Sequence, residues 1–335
     1  GVAVGADYAI AGPLLAEFVP SRRRGTFLAS LNMVWTIGFV VAYGVDIALQ
    51  HWLGKGSWRL MLASSAIPAF ITLLLRLGSP ESPRWLLSQG RGDEARAIVK
   101  QYIGPAYDLS DIEEVRGPPI RYRELFQPPL LKRTIFAGGF WLCQVFPYFG
   151  IGTFLPSIVH GLHIGSETLG EVLYNGLLAV GAVAGFFFMD KLPRRGFVIW
   201  SFVVVSVALV ILGIVPHGPL ALVLPTLLVL AFVLSAAADL ESVYPAEVFP
   251  TGIRASGAGV AAAISRIGAA ISTFVLPSLI AGTGIGITML VLALVTVTGT
   301  VLSVFLAPET RHVTLTDAAS AATGTSRVAG LAPTT

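Results

Sequence analysis

Two long stretches of this chain contain no Asp, Glu, Lys or Arg, namely residues 196–238 and 267–308. A helix that crosses the hydrocarbon core of a bilayer needs only about 20 residues. We therefore expect each stretch to form two apolar helices that fold back on each other, with turns at 216–219 and 282–284, where Pro and Gly are concentrated. Only helices and closed barrels satisfy their backbone hydrogen bonds inside lipid, and these segments are too long for barrel strands.

The composition extends this prediction to the whole chain. Hydrophobic residues make up 54% of the sequence and charged residues 12%, whereas soluble domains average about 25% charged residues. The fold class predicted is an all-α polytopic membrane helix bundle. Nine spans are expected, at residues 1–19, 26–49, 58–77, 133–159, 168–189, 196–215, 219–242, 254–281 and 285–306.

The basic residues indicate which helix ends face the cytoplasm. Of the 22 Lys and Arg residues, 19 fall in one alternating set of connecting segments, which the positive-inside rule places in the cytoplasm. This bias accounts for the pI of about 9.1, so we expect the lipid bilayer as a partner and no nucleic acid. The prediction is a monomeric, multi-pass protein of the cell (inner) membrane. Its C-terminus is cytoplasmic, and the tail from Thr314 is expected to be disordered.

Two short motifs occur twice, at nearly the same offset. Residues 16–25 read AEFVPSRRRG and residues 246–255 read AEVFPTGIRA, so that Glu, Pro and Arg recur at the same spacing. A second pair, PESPR from Pro80 and PETR from Pro308, lies almost the same distance apart. Two matches at one offset indicate an internal duplication, which is typical of transporters.

The duplication also predicts how many helices each half contains. From Arg133 onward, three predicted spans precede the span that leads to Glu247, but only sixteen residues precede Glu17. We therefore expect the sequence to lack about three N-terminal helices, with nine of twelve present.

The motifs resemble those of the major facilitator superfamily, and most closely its sugar-porter and metabolite:proton symporter branch. The resemblance covers the whole chain and is carried by GSWR at 56–59, PESPRWLL at 80–87, DKLPRR at 190–195, YPAEVFPTGIRASGAG at 244–259 and PETR at 308–311. It implies a major facilitator fold, with two six-helix bundles around a central cavity that opens alternately to either side of the membrane.

The resemblance also implies a division of the chain. Acids at 93–94 predict a short helix over 92–102, and a second helix start is expected at 110–114. The expected parts are three helices of the N-terminal bundle (1–77), a cytoplasmic inter-bundle loop (78–132), the C-terminal six-helix bundle (133–306) and a cytoplasmic tail (307–335).

Charged residues of these motifs lie at predicted cytoplasmic helix ends. Carboxylates and guanidiniums there can pair across the bundle interface when the inner side is closed and separate when it opens. The alternative is that they are ordinary helix-end charges, but simple anchoring requires no repeated spacing. The predicted cytoplasmic gate comprises Glu17, Arg24, Asp190, Arg194, Arg195, Glu247 and Arg254.

Ionisable residues inside predicted spans are candidates for a proton or substrate pathway, because charge in lipid is costly. Asp7 lies about 15 Å from its cytoplasmic helix end, in a Gly-x-Asp-Tyr motif that resembles that of phosphate-type symporters. Arg266 lies about 18 Å beyond Arg254 and needs an acidic partner, such as Asp239 or Glu241, or an anionic substrate. For both residues, a static buried contact is the alternative.

The substrate-binding positions of sugar porters are only partly matched. Hexose porters, which are members of this family, typically carry a Gln-Gln pair and an Asn on the seventh helix. They also carry a stacking Trp on the tenth helix. Here the corresponding residues are Cys143-Gln144, Phe149 and Ser242, so only Gln144 remains as a candidate sugar-binding amide. This departure argues against a hexose. The aromatic residues of the same span either line a cavity for an organic acid or pack against lipid.

The sequence therefore predicts a secondary active transporter of a small polar metabolite, either sugar-like or an organic acid, taken up with protons. The alternatives are an exporter working as an antiporter and a transport-inactive sensor. No catalytic residues are predicted, so an enzyme is not expected. No cofactor is expected either, and the proton is the predicted coupling ion. No metal site is expected from the single cysteine, Cys143, or from the external histidines His51, His160, His163 and His217.

Overall fold

The fold is given by a computed structural model, which describes residues 11–12, 14–15, 18, 24–54, 56–78, 80–103, 122–250 and 253–310. Several predictions fall elsewhere. Asp7, Glu17, most of the first predicted span, the helix start at 110–114 and the tail from Thr314 lie outside the described residues.

Every regular element in this described part of the chain is a helix. Two of these elements are not α-helices, namely a π-helical turn (Val99–Ile103) and a 3₁₀ helix (Tyr122–Phe126). In chain order the α-helices are α1 (Arg24–Leu53), α2 (Trp58–Ser64), α3 (Ala66–Arg76), α4 (Pro83–Ser88), α5 (Gly92–Ile98), α6 (Leu130–Thr153), α7 (Leu155–Gly161), α8 (Glu167–Phe188), α9 (Arg194–Ile214), α10 (Leu220–Ala238), α11 (Leu240–Val248) and α12 (Arg254–Leu306).

Seven helical segments among the described residues are long and apolar enough to cross a membrane. The last of them, α12, is two spans rather than one, because its backbone is non-helical at Gly284, where φ is 83°. Only glycine adopts such a conformation without strain. Ile264 packs against Gly138 and Leu302 packs against Gly139, so the two arms of α12 lie on the same helix and form a hairpin. The predicted turn at 282–284 is thereby confirmed.

Helix α6 is the centre of the C-terminal bundle. Two buried clusters surround it, one around Phe136 and Tyr244 and the other around Ile151 and Leu209. Small residues on α6 allow the arms of α12 to approach closely, as membrane helices do when lipid supplies no hydrophobic driving force. The bundle is therefore held by side-chain packing between α6, α8, α9, α10 and α12.

The N-terminal part is packed on this bundle mainly through α1. Leu28, Ala29, Asn32 and Thr36 are buried and recur at helical spacing, so they form one face. Helices α2 and α3 contribute no buried residue, although the segment 58–76 is apolar enough to span a membrane. Among the described residues, α1 therefore makes most of the contacts between the N-terminal part and the rest of the chain.

One span extends further than predicted. The span expected to end at 242 continues through a joint at Asp239 and α11 to Val248. Asp239 and Glu241, which lie at this joint, are both buried. In the loop, the predicted helix over 92–102 is confirmed by α5 and the turn that follows it.

Candidate functional site

Charged side chains from α9, α11 and the turn between α8 and α9 converge at the end predicted to be cytoplasmic. Arg194, whose side chain is 4% exposed, lies 3.3 Å from the Asp190 carboxylate and 3.5 Å from that of Glu247. It also donates a hydrogen bond to the Met189 carbonyl. One buried guanidinium therefore lies between an acid of the turn after α8 and an acid of α11, an arrangement of opposite charges that fixes their positions.

The N-terminal part reaches the same residues through the start of α1. The Thr26 amide donates to Asp190 over 3.3 Å, and the Thr26 hydroxyl donates to the same carboxylate oxygen. A Cβ placed on Gly25 would lie 2.5 Å from an Asp190 oxygen and 3.0 Å from the Arg194 Cζ. The absence of a side chain at Gly25 therefore permits this contact between the two halves of the chain.

The segment after α12 completes the cluster. Glu309 accepts hydrogen bonds from the backbone amides of Arg194 (3.0 Å) and Arg195 (3.2 Å), which places an acid at the N-terminus of α9. The Thr310 hydroxyl lies 2.5 Å from Glu247. We call the set Thr26, Asp190, Arg194, Glu247, Glu309 and Thr310 the inner network. The PETR motif marked Glu309 and Thr310 in the sequence, but their contacts were not predicted.

The other predicted gate residues lie around this network or outside the description. Arg195 donates to the Val304 carbonyl over 2.9 Å. Arg254 is 2% exposed at the first residue of α12. Arg24 begins α1, but its side chain and all of Glu17 lie outside the described structure. The structure therefore brings Asp190, Arg194 and Glu247 together.

A second site lies deeper, between α1 and the C-terminal bundle. It is a pocket of about 260 Å³, part of it open to solvent. We call it the central pocket, and its lining residues are Asn32, Trp35, Val145, Tyr148, Phe149, Ala238, Glu241 and Arg266.

Aromatic rings form one wall of the central pocket. The ring centroid of Trp35 lies 5.8 Å from that of Tyr148 and 6.1 Å from that of Phe149. The Arg266 Cζ lies 5.7 Å from the Phe149 centroid, within the range of a cation–π contact. These rings orient the guanidinium at the pocket. Trp35 was not predicted, because an aromatic residue in an apolar helix has no distinguishing sequence signal.

Two acids lie at the joint between α10 and α11. Glu241, which lines the pocket, accepts a 2.7 Å hydrogen bond from the Trp141 indole N–H. Asp239 is fully buried and receives the Asn32 amide at 3.5 Å. Its other oxygen has no hydrogen-bond partner among the described residues. Of the predicted trio, Glu241 and Arg266 therefore line one pocket, and Asp239 lies beside it and contacts α1 through Asn32.

Gln144 is placed differently from the prediction. Its amide donates to the Leu234 carbonyl over 2.7 Å, and it is not among the residues that line the central pocket. The Gln144 amide, which was expected to bind a sugar hydroxyl, therefore forms a hydrogen bond with a backbone carbonyl of α10.

At the opposite end, α1 and α8 make a further contact. The Tyr43 hydroxyl donates to the Glu171 carboxylate, joining residues 128 positions apart. Nearby, the Nδ1 atoms of His163 and His217 are 2.8 Å apart, and His160 lies 2.6 Å from Glu167. Within the described residues, no group of three or more His, Cys, Asp or Glu side chains is arranged to hold a metal ion.

Comparisons with known proteins identify the class. The sequence pattern of the "Sugar (and other) transporter" family matches residues 1–321, and the chain belongs to this family. The prediction of a sugar-porter-type membrane transporter is therefore confirmed.

Two relatives from Escherichia coli strain K12 are similar over most of the chain. The inner membrane metabolite transport protein YgcS is 41% identical over 317 residues, covering 94% of this chain and 70% of the relative. The putative metabolite transport protein YaaU is 37% identical over 320 residues, covering 94% and 71%. The chain thus spans about 70% of the length of each.

A solved structure shows the fold. The proton:xylose symporter XylE, bound to 6-bromo-6-deoxy-D-glucose, superposes with a TM-score of 0.79 over 94% of this chain and 70% of that protein, at 19% identity. The all-helical bundle therefore has the major facilitator fold, as predicted.

Proposed function

We propose that this membrane transporter takes up a small polar metabolite together with protons, and that both bind at the central pocket. The observation that carries the proposal is a pocket between α1 and the C-terminal bundle. This pocket is lined by one acidic residue, Glu241, and one positively charged residue, Arg266. Because Arg266 lies twelve residues beyond the start of α12, it is about 18 Å from that helix end. Charged residues at such depth are functional candidates, since their burial is costly.

Glu241 and Asp239 are the proposed proton acceptors among the described residues. A carboxylate can take up a proton while the pocket faces outward and release it while the pocket faces inward. Both acids also contact residues that define the bundle interface, Glu241 through the pocket and Asp239 through Asn32. Asp7 stays a predicted member of this pathway, and Gln144 is proposed to position α10 rather than to bind substrate.

The inner network is the proposed cytoplasmic gate. Thr26 and Gly25 of α1 contact Asp190 and Arg194, so these interactions exist only while the inner ends of the halves are together. Opening the pocket to the cytoplasm requires that they separate, and this gives the protein two alternative arrangements. Arg195 and Arg254 are proposed to support the network, and Glu17 and Arg24 are proposed to join it.

The remaining features of the proposal concern organisation. We propose the bundle boundaries predicted above, a cytoplasmic C-terminus and a monomeric transporter that uses the proton gradient without a further cofactor. Nucleic acid has no proposed role, and the protein is proposed to perform transport rather than catalysis.

The test is uptake by the full-length protein in cells and in proteoliposomes with an imposed proton gradient. A transported compound should alkalinise the medium. Glu241→Gln and Asp239→Asn should each abolish accumulation above equilibrium while retaining exchange of labelled for unlabelled substrate. Glu94→Gln, an exposed change in α5, is the control. Accumulation that persists in both pocket variants would remove these acids from the coupling mechanism.

A further inference from the structure

We propose that the substrate is a small monocarboxylate, and that its carboxylate pairs with the Arg266 guanidinium in the central pocket. This inference rests on the proposed function, because it assigns a substrate class to the same pocket.

Arg266 is the only basic residue among those that line the central pocket. Its side chain is partly exposed, and Phe149 lies against the guanidinium at 5.7 Å from ring centroid to Cζ. A guanidinium remains charged under all physiological conditions and presents paired N–H groups that match the two oxygens of a carboxylate. The pocket therefore contains a permanent anion-binding group that is held at its wall.

The charges around Arg266 favour a monoanion that enters with a proton. Among the described residues that line the pocket, Glu241 is the only acid, and it lies near Arg266, Trp141, Tyr148 and the neighbouring Asp239. When these acids are protonated, the charge of Arg266 is no longer balanced by them. A bound carboxylate restores the balance. The loaded pocket then carries less net charge through the membrane, where each uncompensated charge is costly.

The uncharged part of the pocket argues against a polyhydroxylated substrate. Gln144 donates to Leu234 and is not among the lining residues, and Asn32, which lines the pocket, donates to the buried Asp239. The wall is formed instead by the rings of Trp35, Tyr148 and Phe149. The pocket is small, since its volume of about 260 Å³ includes space that is open to solvent. A compact carboxylate with a flat or apolar body fits these surroundings.

The experiment compares compounds that differ in the carboxylate alone. Full-length protein in proteoliposomes is assayed at pH 6 with benzoate and benzamide, lactate and propane-1,2-diol, and glucuronate and glucose. Binding is followed by quenching of tryptophan fluorescence, since Trp35 lines the pocket and Trp141 is bonded to Glu241, and uptake is followed with labelled compounds. At least one carboxylate should bind about tenfold more tightly than its neutral counterpart.

Variants then test whether Arg266 causes this preference. Arg266→Gln should weaken binding of the carboxylate about tenfold and that of the neutral compound less than twofold, and Arg266→Lys should fall between. Arg59→Gln is the matched control, because it removes one positive charge from an exposed helix start outside the pocket. If Arg266→Gln does not fold, the paired compounds on the unaltered protein still decide the result.

Three results would overturn the inference: preference for the neutral members, no binding of any carboxylate, or an unchanged preference in a folded Arg266→Gln protein. Failure of the proposed function gives a different pattern. Carboxylate binding without proton movement would contradict coupling and support the substrate class. Proton-driven uptake of neutral compounds alone would support coupling and overturn the substrate class.

Discussion

The inner network and the central pocket both gather charged residues between the two parts of the chain, yet they do so in different ways. In the inner network, Arg194 is buried and contacts two acids, and Glu309 binds two backbone amides. In the central pocket, Arg266 is partly exposed, and one oxygen of Asp239 lacks a hydrogen-bond partner among the described residues. In the first, the guanidinium faces opposite charges within the protein, although the Arg194 Nε makes no hydrogen bond among the described residues. In the second, a partly exposed guanidinium lies at a pocket that is open in part to solvent.

This difference indicates how one interface can serve two purposes. Polar groups that are fully paired within the protein stabilise one arrangement of the halves, and their loss is costly. Groups that are incompletely paired gain contacts when a ligand or a proton arrives. A transporter needs both kinds, because the bound ligand must change the balance between arrangements.

The largest expected effect is on the inner network. Arg194→Gln removes the cation between Asp190 and Glu247 while keeping a side chain of similar length. Because removing one partner leaves buried charge uncompensated, we expect a loss of about 3 kcal/mol of stability. The measurement is thermal unfolding of the detergent-solubilised protein, followed by size-exclusion chromatography.

Arg59→Gln again provides the comparison, since Arg59 is exposed and should change stability by less than about 0.5 kcal/mol. Equal unfolding temperatures for the two variants would mean that the inner network does not stabilise the fold, and the contrast with the central pocket would then be lost.

The second effect concerns the closeness of the halves. Gly25→Ala places a Cβ against Asp190 and Arg194 and should disfavour the closed inner end by about 1–3 kcal/mol. In a Cys143→Ala background, a cysteine at the buried position Ala29 should react faster with a maleimide added from the cytoplasmic side. Gly38→Ala lies on the same helix with no heavy atom within 4 Å, so it should leave the labelling rate unchanged.

The third effect is expected at the outer end of the same helix pair. Tyr43→Phe removes the hydroxyl that donates to Glu171 and should disfavour the closed outer end by about 0.5–1.5 kcal/mol. Labelling at Ala29→Cys should therefore slow, opposite to the effect of Gly25→Ala. If both substitutions shift the labelling rate in the same direction, the two contacts do not hold opposite ends of the interface.

The sequence predicted the inner network better than the central pocket, for a physical reason. Glu247 belongs to a duplicated motif, and Asp190 and Arg194 belong to the DKLPRR motif. All three lie at predicted cytoplasmic helix ends, so the sequence predicted them as members of one gate. Arg266, Asp239 and Glu241 were predicted from the cost of charge in lipid alone. That argument identifies the residues but gives neither their partners nor the cavity that Arg266 and Glu241 share with Trp35 and Tyr148.

Contacts between residues that are far apart in the sequence and belong to no motif could not be predicted from the sequence. Tyr43 and Glu171 are 128 positions apart and belong to no repeated motif. Gln144 was expected to face substrate because similar amides bind sugars, but its donor is used by the Leu234 carbonyl. The helices themselves were predictable from hydropathy, including the turn at Gly284. Which polar side chain faces which neighbour depends on helix rotation, which hydropathy does not specify.

The smallest expected effect is on an ion pair that belongs to neither site. Arg91 and Glu94 are linked at 2.5 Å at the start of α5, and their side chains are 47% and 57% exposed. The hydrogen bond from Arg91 lowers the pKa of Glu94. A lowered pKa means that the pair stabilises the fold above the unfolded pKa of Glu94, and that this contribution is lost as pH falls through its folded pKa.

Exposed pairs are screened by solvent, so Arg91→Gln should change the unfolding temperature only slightly at pH 7, and the difference should vanish in acid. The check is thermal unfolding of the unaltered and Arg91→Gln proteins at pH 7 and at pH 4. If Arg91→Gln lowers the unfolding temperature as much as Arg194→Gln does, then an arginine in the inner network contributes no more to stability than an exposed one. Burial between two acids would then no longer explain the difference between these residues.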